Sequence, residues 1–484
     1  MKKSYLYIIA AVLTLIPLVS NAQSMYSNDL MYHSFRSPVI TRLNPAFFPD
    51  SSRFYIAFPR IDIGGGIPLS YREVGIYYDA AQDRSIIDLN HIIDKLRENG
   101  THFGITTEAE LMHFGFKVKQ LSFNVAAGIR FTGNLNVPIE ASRLLTEGNM
   151  GSAGHIEMGI QDFLLAQTYG YASLGAAYTF PKINLTVGGR LNMQDGTQVL
   201  SADHLSLDYR NINNDELQMS ADYVMQSAGL VSLEQDSTGV YHIVRGSKFP
   251  KSLGCTFDLG VKYEIKGFTI SASVIDLGPG IHWTESPLTI VPKHQDRVIH
   301  YSGIDLEQLV TEGVVDSIYG QSITDSIMAM IDTSISRKSF WTGVPTKVYL
   351  GASYSLKNML RFGVLFHGEW DRGTGRAFNT FRQNTMLSVN FNLFDWLELA
   401  VANSFTFDGK KFDAINPGFS ASFNIARRFQ MYFTVDYLSH FYVVDMKSFR
   451  AMMGFNIVDR PKVKKIKQRK LKHPLIEENG TAGS

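Results

Sequence analysis

The stretch Leu387-Ser388-Val389-Asn390-Phe391-Asn392-Leu393 decides how the rest of the chain is read. Leu387, Val389, Phe391 and Leu393 fall on one face of an extended segment and Ser388, Asn390 and Asn392 on the other, because strand side chains alternate with period two. The pattern fills 383–394, returns after a very short turn in 396–407, and recurs in 417–426 with 428–438 before a closing segment at 446–458. From about residue 105 onward the chain repeats this unit of two alternating segments, a tight turn and a long polar connection. Strands of about 9–13 residues with one apolar and one polar side suit a tilted barrel strand crossing the apolar core of a bilayer. The expected fold is all-β, a transmembrane antiparallel β-barrel.

Turns and connections set the strand count. Tight turns are expected at Lys119-Gln120, Pro181-Lys182, Lys266, Lys357-Asn358, Asp395 and Ala426-Arg427. Long connections are expected at 79–104, 134–165, 195–251, 284–345, 371–382, 408–416 and 439–445. An ascending strand near 69–78, six turn-joined hairpins and a final descending strand make about 14 strands; alternation within 199–226 either raises this to about 16 or forms a hairpin above the membrane. Ser85 to Asp88 reads as a capping box, followed by helical spacing of Ile86, Leu89, Ile93 and Leu96 up to Gly100. Further short loop helices are expected at 139–147, 304–314 and 324–335.

The N-terminus points to export. Lys2 and Lys3, an apolar run from Tyr5 to Val19, and Ser20-Asn21-Ala22 form a secretory signal peptide over residues 1–22. With export, the expected site is the bacterial outer membrane, the short turns face the periplasm and the long loops face outward. The chain then divides into an N-terminal periplasmic or hatch-like segment (23–50), the barrel (51–458) and a basic periplasmic tail (459–484). A formal charge of +1 gives no overall field for nucleic acid. A mean hydropathy of −0.05 suits strands that are apolar on one side only. The single cysteine, Cys255, has no disulfide partner within the chain.

On the polar parity lie Arg130, Arg190, Asp258, Lys262, Glu264, Arg361, Glu398 and Asp436. A charge facing lipid at mid-membrane costs about 2–4 kcal/mol, so these side chains are expected to face the lumen. Gly64-Gly65-Gly66 ahead of Pro68 interrupts any strand starting near 54 and is a candidate kink. Walker, nucleophile-elbow and His-Glu-x-x-His signatures are missing from the sequence. No catalytic, cofactor or metal residues are therefore assigned, and an enzyme is not expected.

Arg42-Leu43-Asn44-Pro45-Ala46-Phe47-Phe48-Pro49 precedes the first strands. An Asn-Pro-Ala in this place before about 14 strands resembles the FadL superfamily of long-chain fatty-acid transporters and the related PorV-like barrels of type IX secretion. The order of features, including Asn136-Val137-Pro138 and the run from Tyr169 to Phe180, also resembles an uncharacterised Bacteroidota outer-membrane family. The resemblance implies that 23–50 folds into the lumen as a hatch whose end is positioned by Asn44, Pro45 and Ala46. It also implies passive transport of small hydrophobic molecules, with a strand kink opening sideways to lipid. The alternative is a non-enzymatic scaffold or accessory barrel for secretion or outer-membrane assembly, with a periplasmic or outer-membrane protein partner. In either case outer-membrane lipid is the expected surrounding.

Overall fold

The computed structural model describes residues 29–50, 52–74, 76–79, 84–87, 89–99, 101–137, 139–140, 155–211, 216–235, 241–245, 252–292, 296–300, 333–356, 359–371, 380–408, 411–425, 428–436, 438 and 445–459. The expected signal peptide, the basic tail beyond 459 and the loop helix at 304–314 lie outside the described residues, as do all but 139–140 of the helix expected at 139–147. Residues 333–335 of the last expected loop helix are strand.

Fourteen antiparallel strands close into a barrel. They are β1 (Phe54–Ala57 with Arg60–Gly66), β2 (His102–Val118), β3 (Leu121–Asn136), β4 (His155–Phe180), β5 (Leu185–Asn211), β6 (Ser252–Ile265) and β7 (Phe268–Trp283). The second half comprises β8 (Thr346–Leu356), β9 (Leu360–Asp371), β10 (Thr380–Phe394), β11 (Leu397–Asp408), β12 (Lys411–Ile425), β13 (Phe429–Asp436) and β14 (Ser448–Val458). Closure is by β1 against β14, with Tyr55 opposite Val458 and Ile61 opposite Met453. Each strand of the ring has a partner on both sides, so the ladders satisfy most of its backbone groups without water, as a lipid environment requires.

The wall is built inside-out relative to a protein in water. Along β14, Arg450, Met452 and Asn456 are buried while Phe449, Met453 and Phe455 are exposed. Leu121, Val125 and Ile129 of β3 and Val187 and Leu191 of β5 are likewise exposed. Period-two patterning produces these faces, and the tight turns hold the register. Lys266 and Gly267, with φ of 46° and 86°, form the mirror-image type of hairpin turn that matches strand twist.

Three sequence expectations are corrected. The first barrel strand is 54–66, because its pairing with β2 and β14 closes the ring; Ile76–Asp79 instead forms a separate hairpin with Arg84–Ile87. Ser85 is thus in a strand, and the following helix spans Leu89–Asn99. Within the long connection expected at 408–416, Asp408 ends one strand and 411–416 belong to the next, with Asp408 opposite Lys411. Of the two readings left open for 199–226, the structure takes the one that adds no strands to the barrel: Glu216–Gly229 pairs along Gln198–Asn211 of β5. That part of β5 rises past its barrel neighbour, whose pairing stops at Ser252 opposite Gly196. Pairing of Glu216–Gly229 with Leu288–Pro292 and Asp296–His300 extends this raised wall.

Candidate functional site

Residues 29–50 enter the barrel and fill its middle. Asp29–His33 forms a turn of 3-10 helix and Ile40–Leu43 a single helical turn, and most of the segment is buried. Its apolar side chains Leu30, Met31, Tyr32, Val39, Ile40 and Phe47 pack with Tyr349, Leu365, Met386, Tyr432 and Met452 from the wall. This is the hydrophobic core of a protein whose outer surface is itself apolar.

Asn44 ties the plug to the wall. Its side-chain Nδ2 donates to the carbonyls of Val261 and Ala272, both at 3.2 Å, which are opposite one another on β6 and β7. Its Oδ1 accepts from the Ala46 N–H at 2.9 Å, an Asx-type turn, with Asn44 itself extended ahead of Pro45. The seat is a glycine pair, Gly188 on β5 opposite Gly260 on β6. A Cβ at Gly260 would lie 2.1 Å from Asn44 Oδ1, and one at Gly188 would lie 2.4 Å from the Pro45 carbonyl oxygen. Gly260→Val is therefore expected to unseat the turn. In a Cys255→Ser background, a maleimide probe should label the Ala46→Cys/Gly260→Val variant and leave Ala46→Cys alone unlabelled, since Ala46 is buried.

Above this turn lies a charged floor. Arg190 donates through Nη1 to the Thr41 carbonyl (2.7 Å), through Nη2 to the Arg42 carbonyl (2.9 Å) and through Nε to Asp258 (2.5 Å). Arg42 pairs with Glu110 at 3.1 Å and donates to Ser173 Oγ at 3.0 Å. Glu108 receives Arg60, Arg130 (3.0 Å) and the Tyr171 hydroxyl (2.8 Å). Arg450 holds Asp62 through two nitrogens at 2.9 and 3.0 Å. Between plug and wall, Arg42, Arg60, Asp62, Glu108, Arg190 and Arg450 border a cavity of about 40 Å³. Among the described residues, no group of three or more His, Cys, Asp or Glu side chains is gathered as a metal would need.

The structure distributes the other sequence candidates around this centre. Arg130 bridges Glu108 and Asp276, and Asp436 accepts the Leu30 N–H at 3.1 Å. Arg361 donates to the His33 carbonyl at 2.9 Å and covers the Phe35 ring. Glu398 is buried on β11. Lys262 and Glu264 pair with each other at 3.2 Å at the short-turn end, where Glu264 is half exposed. Gly64, Gly65 and Gly66 pair in continuous register with 448–450 and 104–106, while the break in β1 falls at Phe58-Pro59. Arg42, Arg60, Glu108, Glu110 and the Gly188–Gly260 seat were not singled out as site residues in the sequence. The inward parity of the strand members was the available signal.

A second irregularity lies on β7. Register shifts flank Phe257 opposite Leu277, and Ile275 and Asp276 are both buried, as at a β-bulge. Asp276 has φ of 58° and Gly280 of 87°. On the other edge, pairing with β8 ends at Ile275 opposite Lys347, and the next pair, Ile281 opposite Thr342, is with the separate short strand Phe340–Thr342. Residues 276–280 thus have an interrupted ladder on both sides. Next to them Leu165, Tyr169, Val199, Ala228, Ile281, Trp283, Phe340 and Val344 form a buried apolar cluster. Tyr169 joins cluster to floor, its hydroxyl accepting from Arg130 at 3.1 Å.

Fold and site together define a closed, plugged 14-strand β-barrel of the transmembrane type. The chain belongs to the family described as "Family of unknown function (DUF5723)", which it matches over residues 45–436. No curated protein matches it. Solved structures similar to it include the toluene transporter TodX of P. putida, at 8% identity and a TM-score of 0.42, covering 91% of this chain and 96% of that one. The Ralstonia pickettii toluene transporter TbuX has 9% identity and a TM-score of 0.40, covering 87% and 94%. A Pseudomonas aeruginosa FadL homologue has 8% identity and a TM-score of 0.41, covering 92% and 99%. Likeness at this level carries no argument about what this chain does, which has to be built from its own residues.

Proposed function

We propose that this protein is a non-enzymatic bacterial outer-membrane barrel that passes small hydrophobic molecules from the outer half of its lumen sideways into the bilayer. The supporting observation is the two-sided interruption at 276–280 beside the apolar cluster around Trp283. A hydrophobic solute arriving from the long-loop side meets apolar side chains first. Straight passage would then take it into the charged floor, where displacing ion-pair partners without replacement is unfavourable. The β7 seam offers an exit at the same level. Residues 29–50 serve as the hatch, with Asn44, Pro45 and Ala46 positioning its end.

The seam is closed by glycine packing in this state. A Cβ at Gly280 would lie 2.1 Å from the Thr342 carbonyl oxygen, and its φ is left-handed. Gly280→Ala is expected to lower stability by at least about 1–2 kcal/mol from backbone conformation alone. Denaturant unfolding of the detergent-solubilised barrel reads that change, and an unaltered midpoint would contradict the close approach.

A second reading, a scaffold or accessory barrel, is favoured by the raised wall of β4 and β5, 26 and 27 residues long. Such strands far exceed the roughly 9–11 residues needed for crossing. Affinity purification from native outer membranes, with mass spectrometry of proteins and lipids, separates the two. A co-purified hydrophobic compound lost in Trp283→Asp supports transport. A stoichiometric protein partner with no bound compound overturns it in favour of the scaffold.

A further inference from the structure

We infer, resting on the sideways exit proposed above, that residues 340–344 form a gate over the β7 seam, and that the polar latch holding it shut selects hydrophobic molecules bearing one uncharged hydroxyl or carbonyl over hydrocarbons. Phe340–Thr342 pairs with Ile281–Trp283 in a short ladder. Phe340 and Val344 belong to the buried apolar cluster, Thr342 is buried beside them, and Trp341 is exposed. Gln167 of β4 holds this segment at two points, although β5, β6 and β7 lie between β4 and β8 in the ring. Its Nε2 donates to the Gly343 carbonyl at 3.0 Å, and its Oε1 accepts from the Thr342 hydroxyl at 2.8 Å. The Thr342 oxygen accepts in turn from Trp283 Nε1 at 2.7 Å. Gln167, Thr342 and Trp283 are all fully buried.

With the gate closed, these side chains satisfy one another and the Gly343 carbonyl, and none of their polar atoms lacks a partner. Moving 340–344 aside breaks the set. It leaves the Gln167 amide facing a passage otherwise lined by Leu165, Val199, Ile281, Phe340 and Val344. Leaving a buried polar group unpaired costs more than the net worth of the bond it made. A hydrocarbon passing through cannot offset that cost. A hydroxyl or carbonyl can, by pairing with the Gln167 amide or the Trp283 N–H on the way. A site built to hydrogen-bond a solute discriminates strongly against the analogue lacking the group. An ionised solute is disfavoured, because the latch carries no formal charge to offset its lost hydration. The carboxylate beside the seam, Asp276, is already paired with Arg130 at 3.2 Å.

The test measures initial uptake of radiolabelled octane, octanol and octanoate by native outer-membrane vesicles with and without the full-length protein. The acceleration due to the protein is expected to be roughly tenfold greater for octanol than for octane or octanoate. Gln167→Leu removes one side of the latch and is expected to raise octane to the level of octanol. In a Cys255→Ser background, Val344→Cys should resist an aqueous maleimide while Gln167 is present and react in Gln167→Leu, since Val344 is buried. Equal acceleration of all three solutes, or a preference for octane or octanoate, overturns the inference and leaves the sideways exit standing. Acceleration of none removes the exit itself, and the inference with it. A preference for octanol unchanged in Gln167→Leu overturns the inference as well. Should that variant fail to reach the membrane, Trp283→Phe keeps an aromatic ring without the N–H and is expected to lower the preference; an unchanged preference there is equally fatal.

Discussion

Deleting residues 29–50 is expected to turn a closed barrel into a conducting one. In planar bilayers the full chain should show no steady current, and the deletion variant an ohmic pore. The reason is where the plug's contacts lie. Leu30, Met31 and Tyr32 pack on Leu365, Met386, Tyr432 and Met452, side chains of β9, β10, β13 and β14. Arg42 and Asn44 reach the opposite wall, at Glu110 on β2 and at the Val261 and Ala272 carbonyls. One segment therefore spans the lumen from side to side. Beside that apolar patch the wall behind the plug carries inward polar groups, Asn384, Asn390, Ser420 and Thr434, so water can enter the space the plug leaves. Identical currents from both proteins would show that the plug does not close the path.

The largest effect from a single side chain is expected at Arg190. Arg190→Met removes three hydrogen bonds, two to plug carbonyls and one to Asp258, and leaves the Asp258 carboxylate fully buried without its cation. Breaking one partner of such a pair costs about 3–5 kcal/mol, because the remaining charge stays out of water. Denaturant unfolding should show this loss. Adding Asp258→Asn should restore part of it, since the stranded charge is then gone. Lys262→Met makes the comparison: its partner Glu264 is half exposed, and an exposed pair is worth about 0–1 kcal/mol. Equal losses at the two sites would mean that the Arg190 contacts do not hold the plug.

Most of the wall was legible from residue types in order. The alternation of Leu387, Val389, Phe391 and Leu393 with Ser388, Asn390 and Asn392 set which side of β10 meets lipid, and the hairpin turns at Lys119 and Lys266 followed from the same periodicity. The errors fell where periodicity is shared by different partners. Residues 69–78 and 54–66 both contain extended stretches, but only 54–66 pairs with β2 and β14. Ser85 satisfies a helix-capping pattern yet pairs as a strand, because Tyr78 lies opposite it. Residues 408–416 look like a polar connection, yet Asp408 pairs with Lys411 and 411–416 continue β12 alongside β11.

The interior was much less legible. Gly188 and Gly260 carry no mark in the sequence that sets them apart from other strand glycines. Gly188 and Gly260 become a seat only because their strands pair in the register that sets one opposite the other, under Asn44 and Pro45. The bulge that turns Asp276 inward depends on two extra residues of β7 opposite β6, which no local pattern marks.

By itself the sequence determined a strand-built wall, apolar outside and polar inside, because a period of two depends only on neighbours along the chain. Tertiary structure alone decided that Arg42, from residues 29–50, meets Glu110 and that Arg190 meets the Thr41 and Arg42 carbonyls. Those contacts join segments separated by long stretches of chain, and their strength comes from shared burial, which exists only once the barrel has closed around the plug.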